Sequence, residues 1–277
     1  MNISTPFNQT QLLPTRWGHM VALTCDPFQT GSLALYGEWS AEECAKMCEF
    51  IGPGDVVLDV GANIGTLTVA FAKRVGIGGR VFSFEPQRIP HMLLCANIAL
   101  THTLIQASAH NVAVGDSNKT TEVPVIDFNQ PFNVGGVRLD DSRYDAAVRL
   151  PKEPVPQITI DSLELSRVDL IKIDVETMEA KVLAGARETI ARCRPVIFAE
   201  AIFDGAGEHE NANLAAMLET FKEHQYECRF LKTMLFDPNN ARFCPDKIFP
   251  DGDRNVVAIP NERFRPIWFS ELPVAAV

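Results

Sequence analysis

The chain has 277 residues, of which 46% are hydrophobic and 22% charged, and its formal net charge is −10. The apolar share is ample for a buried core, and the length predicts one domain over residues 1–277. The dispersed negative charge argues against a nucleic-acid partner, and the lack of a secretory signal or of a run of about 18 apolar residues predicts a cytoplasmic protein that does not enter membranes.

Along the chain, residues 1–50 are predicted to form an N-terminal extension with one amphipathic helix around residues 41–50. From residue 40 onward, short apolar runs alternate with helical patterns, which predicts a parallel sheet covered by helices on both faces. Seven strands are predicted, at residues 56–60, 81–84, 107–114, 168–173, 196–199, 227–231 and 255–259. Apolar stripes with helical spacing lie in residues 64–75, 178–190 and 214–221. Residues 115–157 lack a convincing helical pattern and are predicted as an insertion near the site.

The stretch VVLDVGANIG ends the first of these strands and begins a helix, and its turn carries Asp59, Gly61, Asn63 and Gly65. In an open parallel sheet, ligands bind beyond the carboxyl ends of the strands, where such a turn meets the next helix. Glycines let the backbone come close to a ligand, and the N–H groups at a helix start favour an anionic group. The turn therefore predicts a ligand site.

The second strand ends at Glu85, and an acid at about this distance from the turn accepts hydrogen bonds from ribose hydroxyls. The turn and the acid together predict a cofactor that contains a nucleoside. A dinucleotide fits less well, because Asn63 stands where the dinucleotide fingerprint has a glycine beside the pyrophosphate. Asp59 before the turn suits the amino-acid end of S-adenosylmethionine, which is the predicted cofactor. A nicotinamide-dependent oxidoreductase and a non-catalytic cofactor-binding protein remain as alternatives.

In chain order, the motifs VLDVGANIG, FEP, NVAVGD, IDSL, DLIKIDVE and RPVIFAE resemble the FkbM-type class I methyltransferases over about residues 18–259. The resemblance implies an α/β fold with a Rossmann-like, seven-stranded, mostly parallel sheet and helices on both faces. It also implies that the turn holds the methionine part of the cofactor, that Glu85 holds the ribose, and that the end of the third strand flanks the adenine. The cofactor-binding residues implied in this way are Asp59, Gly61, Asn63, Gly65, Glu85, Asn111, Val112 and Ala113.

Candidate catalytic groups follow the fourth and fifth strands. A sulfonium methyl group is already activated, so the enzyme must align an acceptor atom with it and assist the loss of a proton. Asp174 is the first candidate for acceptor orientation or general base, and Glu200 and His209, the latter in a glycine-flanked loop, are further candidates. Glu176 and Glu179 have a second interpretation, stabilisation of the following helix, which is preferred for Glu179. The spacing carries no metal signature, and no metal is predicted.

One position departs from the family pattern. The family commonly has Asp-Val-Glu-Gly where this chain has Thr177 in place of the glycine. Because positive φ is difficult for a β-branched residue, Thr177 is predicted to cap the helix, while Met178 narrows the acceptor pocket. The residues themselves predict methyl transfer. The resemblance implies a hydroxyl oxygen on a natural product or sugar as the acceptor, and nitrogen remains an alternative.

Overall fold

The computed structural model describes residues 9–137, 150–201, 208–249, 252 and 254–265, with the backbone alone for residues 208–210. The strands are β1 (Thr10–Thr15), β2 (Gly18–Leu23), β3 (Val56–Val60), β4 (Arg80–Phe84), β5 (Ala107–His110), β6 (Ala113–Val114), β7 (Lys119–Pro124), β8 (Lys152–Ile158), β9 (Leu170–Ile173), β10 (Val196–Glu200), β11 (Tyr226–Lys232) and β12 (Arg254–Pro260). The helices are α1 (Gln29–Tyr36), α2 (Ala41–Cys48), α3 (Thr66–Val75), α4 (Arg88–Leu100), α5 (Glu179–Ala184), α6 (Arg187–Cys193) and α7 (Glu208–Glu223).

The central sheet has seven strands in the order β5-β4-β3-β9-β10-β12-β11. Neighbouring strands are parallel except at β12, which runs antiparallel to both β10 and β11. The order reverses between β3 and β9, where the chain turns from one half of the sheet to the other, and ligand crevices form at such a switch point. The predicted Rossmann-like, seven-stranded fold is therefore confirmed.

The strands of the sheet centre are apolar on both faces because helices cover both. In β3, Leu58 and Val60 belong to a core cluster with residues of α5, α6 and α7. Val57 points to the opposite face and joins a second cluster with residues of α2 and α3. A parallel sheet buried in this way has near-continuous hydrophobic strands, which is why the sequence indicates them clearly.

Three predictions about elements are corrected by the structure. The run 107–114 divides into β5 and β6, and β6 leaves the central sheet to pair with β8. The helical stripe 178–190 divides into α5 and α6 at Gly185, where a Cβ atom would lie 2.1 Å from the Gly115 carbonyl oxygen, so the chain is too close here for any other residue. The N-terminal extension holds a β1-β2 hairpin and α1 in addition to the predicted helix.

The insertion is partly a small sheet. Strands β6, β8 and β7 form a three-stranded sheet, and residues 125–137 continue from it without regular structure. Residues 138–149 lie outside the described part of the chain. None of the described helices combines the length and the apolar character needed to cross a membrane.

Candidate functional site

Two cavities lie side by side beyond the carboxyl ends of β3, β4 and β9. The first has about 680 Å³ of empty space and the second about 910 Å³, and both figures include the open solvent at the mouths of the cavities. Their shared wall is formed by Gly61, Asn63, Gly135, Asp174 and Glu176. A ligand in one cavity would therefore meet a ligand in the other at the loops that follow β3 and β9.

The turn after β3 is fixed against both neighbouring strands. The N–H groups of Gly61 and Ala62 both donate to the Phe84 carbonyl oxygen at 3.0 Å. Gly61 has φ +80°, and a Cβ atom there would lie 1.8 Å from the Asp174 carbonyl oxygen. Only glycine allows so close an approach. The main role of Gly61 in the structure is therefore to let the loops after β3 and β9 pack against each other.

Gly65 and Asn63 have different positions in the same turn. Gly65 precedes α3 with φ +88° and lines neither cavity, and the structure has no side-chain cap at this helix start. Asn63 has φ +50°, lines both cavities, and carries a buried Oδ1 atom without a hydrogen-bond partner. An acceptor atom in this state suits a ligand that donates a hydrogen bond.

Glu85 lines the first cavity and is only 4% exposed. Its carboxylate accepts hydrogen bonds from the Asn63 N–H at 2.8 Å and from the Gln87 N–H at 2.8 Å. Burial raises the pKa of this carboxyl to about 7, although the two N–H donors act in the opposite direction. Glu85, which the sequence predicts to bind the ribose, thus faces the cavity and also holds the turn after β3.

The end of β5 closes the first cavity on another side. Val112 and Ala113 line it. Asn111 does not, because its Nδ2 atom donates to the carbonyl oxygens of Glu85 and Pro86 at 2.9 and 3.0 Å. Asn111 therefore fixes the end of β4, and its predicted role beside an adenine stays a prediction.

Asp59 lies behind the turn. Its carboxylate is fully buried and accepts a hydrogen bond from the Thr68 hydroxyl at 2.5 Å. Its other oxygen is 3.5 Å from Lys172 Nζ, and the same ammonium is 3.3 Å from Asp174 and donates to the Gly61 carbonyl oxygen at 2.8 Å. Asp59 lines neither cavity, so the structure gives it a supporting position, and direct contact with a ligand stays a prediction.

Lys172 was not among the predicted site residues. It is 4% exposed and lines the second cavity, and its pKa lies above the usual range because the nearby carboxylates outweigh the opposing effect of its burial. A charged lysine in an apolar strand is the sequence signal that could have identified it, since buried lysines are almost always paired.

The loop after β9 contradicts the expectation for Thr177. Glu176 and Thr177 have φ of +55° and +77°. Thr177 thus adopts the conformation that was thought to be unsuitable for it, makes no helix cap, and carries a buried hydroxyl without a partner. Left-handed backbone at two consecutive non-glycine residues is uncommon and persists only when its surroundings hold it in place.

Glu179 holds this loop. Its Oε1 accepts hydrogen bonds from the N–H groups of Val175 at 3.0 Å and Thr177 at 3.2 Å, and its Oε2 accepts one from Asn213 Nδ2 of α7 at 2.6 Å. The side chain is 1% exposed, and burial raises its pKa to about 7. Glu179 lies in the first turn of α5, where its expected role is to stabilise the helix start, and its hydrogen bonds to the preceding loop are a second role that the sequence did not predict.

The three predicted catalytic residues are placed differently. Asp174 and Glu200 both line the second cavity, and with Glu176 their carboxylate oxygens lie within 4.8 Å of one another. Carboxylates at this separation have a geometry that a cation could bridge, but three acids alone do not make a metal site, and the absence of a metal stays a prediction. His209 lies in the first turn of α7 rather than in a loop, and its side chain is outside the described residues.

The second cavity is completed by the N-terminal extension and the insertion. Phe28 and Trp39 supply aromatic walls. Asp26, which is 4% exposed, accepts hydrogen bonds from the N–H groups of Phe28 at 2.9 Å, Gln29 at 3.0 Å and Val134 at 3.3 Å. Residues of the described part of the insertion thus line the two cavities.

Comparison with known proteins identifies the chain's relatives. The model of the methyltransferase FkbM domain matches residues 59–228. The 31-O-demethyl-FK506 methyltransferase FkbM of Streptomyces tacrolimicus is 31% identical over 201 residues, which cover 62% of this chain and 75% of that protein. Methyltransferase sdnD of Sordaria araneosa is 26% identical over 182 residues, which cover 56% and 68% of the two chains.

Solved structures also resemble the chain. The crystal structure of a methyltransferase FkbM from Methylobacillus flagellatus KT matches with a TM-score of 0.48 and 16% identity, over 77% of this chain and 50% of that chain. An O-methyltransferase from Bacillus cereus in complex with SAH matches with a TM-score of 0.43 and 14% identity, over 83% and 80% of the two chains.

Proposed function

The chain belongs to the FkbM methyltransferase family, and from this premise we propose that it transfers the methyl group of S-adenosylmethionine to a hydroxyl oxygen of a small molecule. The observation that carries the proposal is the first cavity, where the buried carboxylate of Glu85 and the glycine turn after β3 face the same space. A carboxylate there can accept hydrogen bonds from two neighbouring hydroxyl groups of a ribose.

The residues present suit S-adenosylmethionine in three ways. The unpartnered Oδ1 of Asn63 can accept a hydrogen bond from the ammonium group of the methionine part. Val112 and Ala113 offer an apolar wall for the adenine. Asp59 and Gly65 stay in the proposal as residues that shape the turn, and Asn111 as the residue that fixes the Glu85 backbone.

The cofactor, when bound, supplies a methyl group on a positively charged sulfur. The protein must then hold an acceptor oxygen about 3 Å from that methyl group, in line with the bond that breaks, and such alignment alone lowers a barrier by about 7 kcal/mol or more. Asp174 lines both cavities and its carboxylate is held by Lys172, so we assign to it the orientation of the acceptor. Glu200 and His209 stay candidates for further contacts with the acceptor.

The second cavity supports a hydroxylated acceptor. Carboxylates on its wall, which include Asp174 and Glu200, accept hydrogen bonds from hydroxyl groups, and Trp39 can cover the flat face of a ring. Sugars and polyhydroxylated natural products have both features. We prefer an oxygen acceptor to a nitrogen acceptor because the family resemblance also implies a hydroxyl group.

The rival functions differ in what they bind and release. A nicotinamide-dependent oxidoreductase needs space for a pyrophosphate at the position of Asn63, and that side chain lies on the shared wall of the cavities. A non-catalytic cofactor-binding protein would bind S-adenosylmethionine without turnover. Binding and turnover must therefore be measured separately.

Two measurements test the proposal. Calorimetric titration with S-adenosylhomocysteine and with NAD should give binding of the first alone. Incubation of the protein with a cell extract and S-adenosylmethionine that carries an isotopically labelled methyl group should give a labelled small molecule with the mass of one added methyl group, and its fragmentation identifies the methylated atom. Binding of NAD alone, or binding of S-adenosylhomocysteine without any labelled product, would refute the proposal.

A further inference from the structure

Asp174 lines both cavities, but its carboxylate is already engaged in an ion pair. Its carboxylate is 3.3 Å from the ammonium group of Lys172, and that ammonium is fixed by Asp59 and by the Gly61 carbonyl oxygen. This ion pair suits Asp174 to orienting the acceptor, and a second group can receive the hydroxyl proton as the acceptor reacts.

Glu176 has the position that such a group requires. It lines the first cavity and the second, so its side chain borders the place where a cofactor methyl group and an acceptor would meet. Its φ of +55° is rare for a residue with a side chain, because the Cβ atom is crowded in this conformation. Strain of this kind persists where the surrounding structure imposes it, and functional sites are where it collects.

The imposed geometry comes from Glu179. One oxygen of its buried carboxylate binds the N–H groups of Val175 and Thr177, the residues on either side of Glu176. The other oxygen binds Asn213 of α7, which ties the loop to a helix on the sheet's face. These bonds fix the backbone on both sides of Glu176, and Glu176 itself lines the two cavities.

Two further carboxylates lie beside Glu176. One carboxylate oxygen each of Asp174, Glu176 and Glu200 lie within 4.8 Å of one another. Of these, Asp174 forms an ion pair with Lys172 at 3.3 Å, so Glu176 lies next to a carboxylate that is already fixed in position.

We infer that Glu176 is the general base of the reaction, an inference that rests on the proposed function. As the acceptor oxygen forms its bond to the methyl carbon, the carbon–sulfur bond breaks and its electron pair stays on sulfur, which becomes a neutral thioether. The hydroxyl proton passes to the Glu176 carboxylate and then to water. Charge and atoms balance, because one positive sulfonium and one carboxylate give two neutral groups.

The positive φ of Glu176 allows a sharp test, because glycine adopts this backbone without strain. In Glu176→Gly, label incorporation from S-adenosylmethionine into the extract fraction that the wild type methylates should fall by about 100-fold or more. Added formate should restore part of the activity by acting as a small carboxylate in the vacated space. Affinity for S-adenosylhomocysteine, measured by calorimetry without any acceptor, should stay within about threefold of the wild type.

The matched control is Glu164→Gly. Glu164 also has a left-handed backbone, with φ +49°, but it is exposed and lines neither cavity, so activity should be unchanged and formate should have no effect. Full activity in Glu176→Gly would overturn the inference, as would a parallel loss of S-adenosylhomocysteine binding. A loss that magnesium restores and chelator deepens would overturn it too, because Glu176 would then be a metal ligand. No incorporation by the wild type would instead refute the proposed function itself.

Discussion

The loops that follow β3 and β9 lie side by side and meet the same cavities, but they reach their backbone conformations by different means. The first loop places Gly61, Asn63 and Gly65 at positive φ, and glycine and asparagine are the residue types that adopt this conformation most readily. The second places Glu176 and Thr177 there and contains no glycine. The first loop reaches its positive φ angles through residue types that tolerate them. The second depends on hydrogen bonds that its N–H groups donate to the buried carboxylate of Glu179, which follows the loop.

This difference separates local from tertiary determinants of a site. A glycine at positive φ is stable in many contexts because it has no Cβ atom. A threonine at positive φ is stable only where other bonds compensate, and here Glu179 and Asn213 supply them. We therefore expect added side-chain atoms to destabilise the first loop. Loss of the Glu179 carboxylate, which we call the clamp of the second loop, should destabilise the second.

The largest effect is expected for Gly61→Ala. The new Cβ atom would overlap the Asp174 carbonyl oxygen, and φ is +80°, so the free energy of unfolding should fall by about 2 to 5 kcal/mol. Urea denaturation measures this change. Gly54→Ala is the control, because Gly54 has φ +86° with no atom within 4 Å of the new Cβ, and it should lose only about 1 to 2 kcal/mol. Equal losses would show that the contact between the two loops is unimportant.

The next effect is expected for Glu179→Ala, which removes the clamp of the second loop. The N–H groups of Val175 and Thr177 lose their acceptor, and each buried unpaired donor costs about 1 to 3 kcal/mol. The free energy of unfolding should fall by about 2 to 4 kcal/mol. Glu188→Ala, at an exposed glutamate in the first turn of α6, should change it by less than about 0.5 kcal/mol. A similar change in both variants would remove Glu179 from its role in the loop.

The sequence allowed prediction of the first loop but not of the second. The sheet, the glycine turn and Glu85 follow from apolar runs and residue spacing, which are local signals. The clamp requires Glu179 to bind backward to the loop and Asn213 to approach from a helix more than thirty residues later, and no local pattern contains that information. The ion pair of Asp59 was not predictable for the same reason, because Lys172 comes from a strand that is distant in the sequence.

A smaller effect is expected from pH at the first loop. Burial raises the pKa of Glu85 to about 7. If Glu85 binds the ribose as proposed, its carboxylate form accepts hydrogen bonds from both hydroxyls, whereas the protonated form has one acceptor fewer. Affinity for S-adenosylhomocysteine should therefore be lost as the pH falls through 7, by about tenfold between pH 8 and pH 6. Calorimetry at several pH values measures it, and the slope should disappear in Glu85→Gln. Tighter binding at pH 6 would contradict the assignment.

The smallest effect is a gain, expected for Thr177→Gly. Glycine relieves the strain at φ +77° and removes a buried hydroxyl without a partner, although it also loses a methyl group from the interior. The net result should be a rise of about 1 kcal/mol in the free energy of unfolding. Thermal and urea denaturation should agree. A fall of that size would mean that the side chain of Thr177 contributes more than its backbone strain removes.

Asp26 links the N-terminal extension to the insertion, since its carboxylate accepts hydrogen bonds from two N–H groups at the start of α1 and from the Val134 N–H of the insertion. Protein engineers who wish to change acceptor choice by exchanging segments with a relative should treat residues 26–29 and 133–137 as one exchangeable unit. A chimaera that replaces only one of them would leave a buried carboxylate without its donor. The central sheet could be kept unchanged.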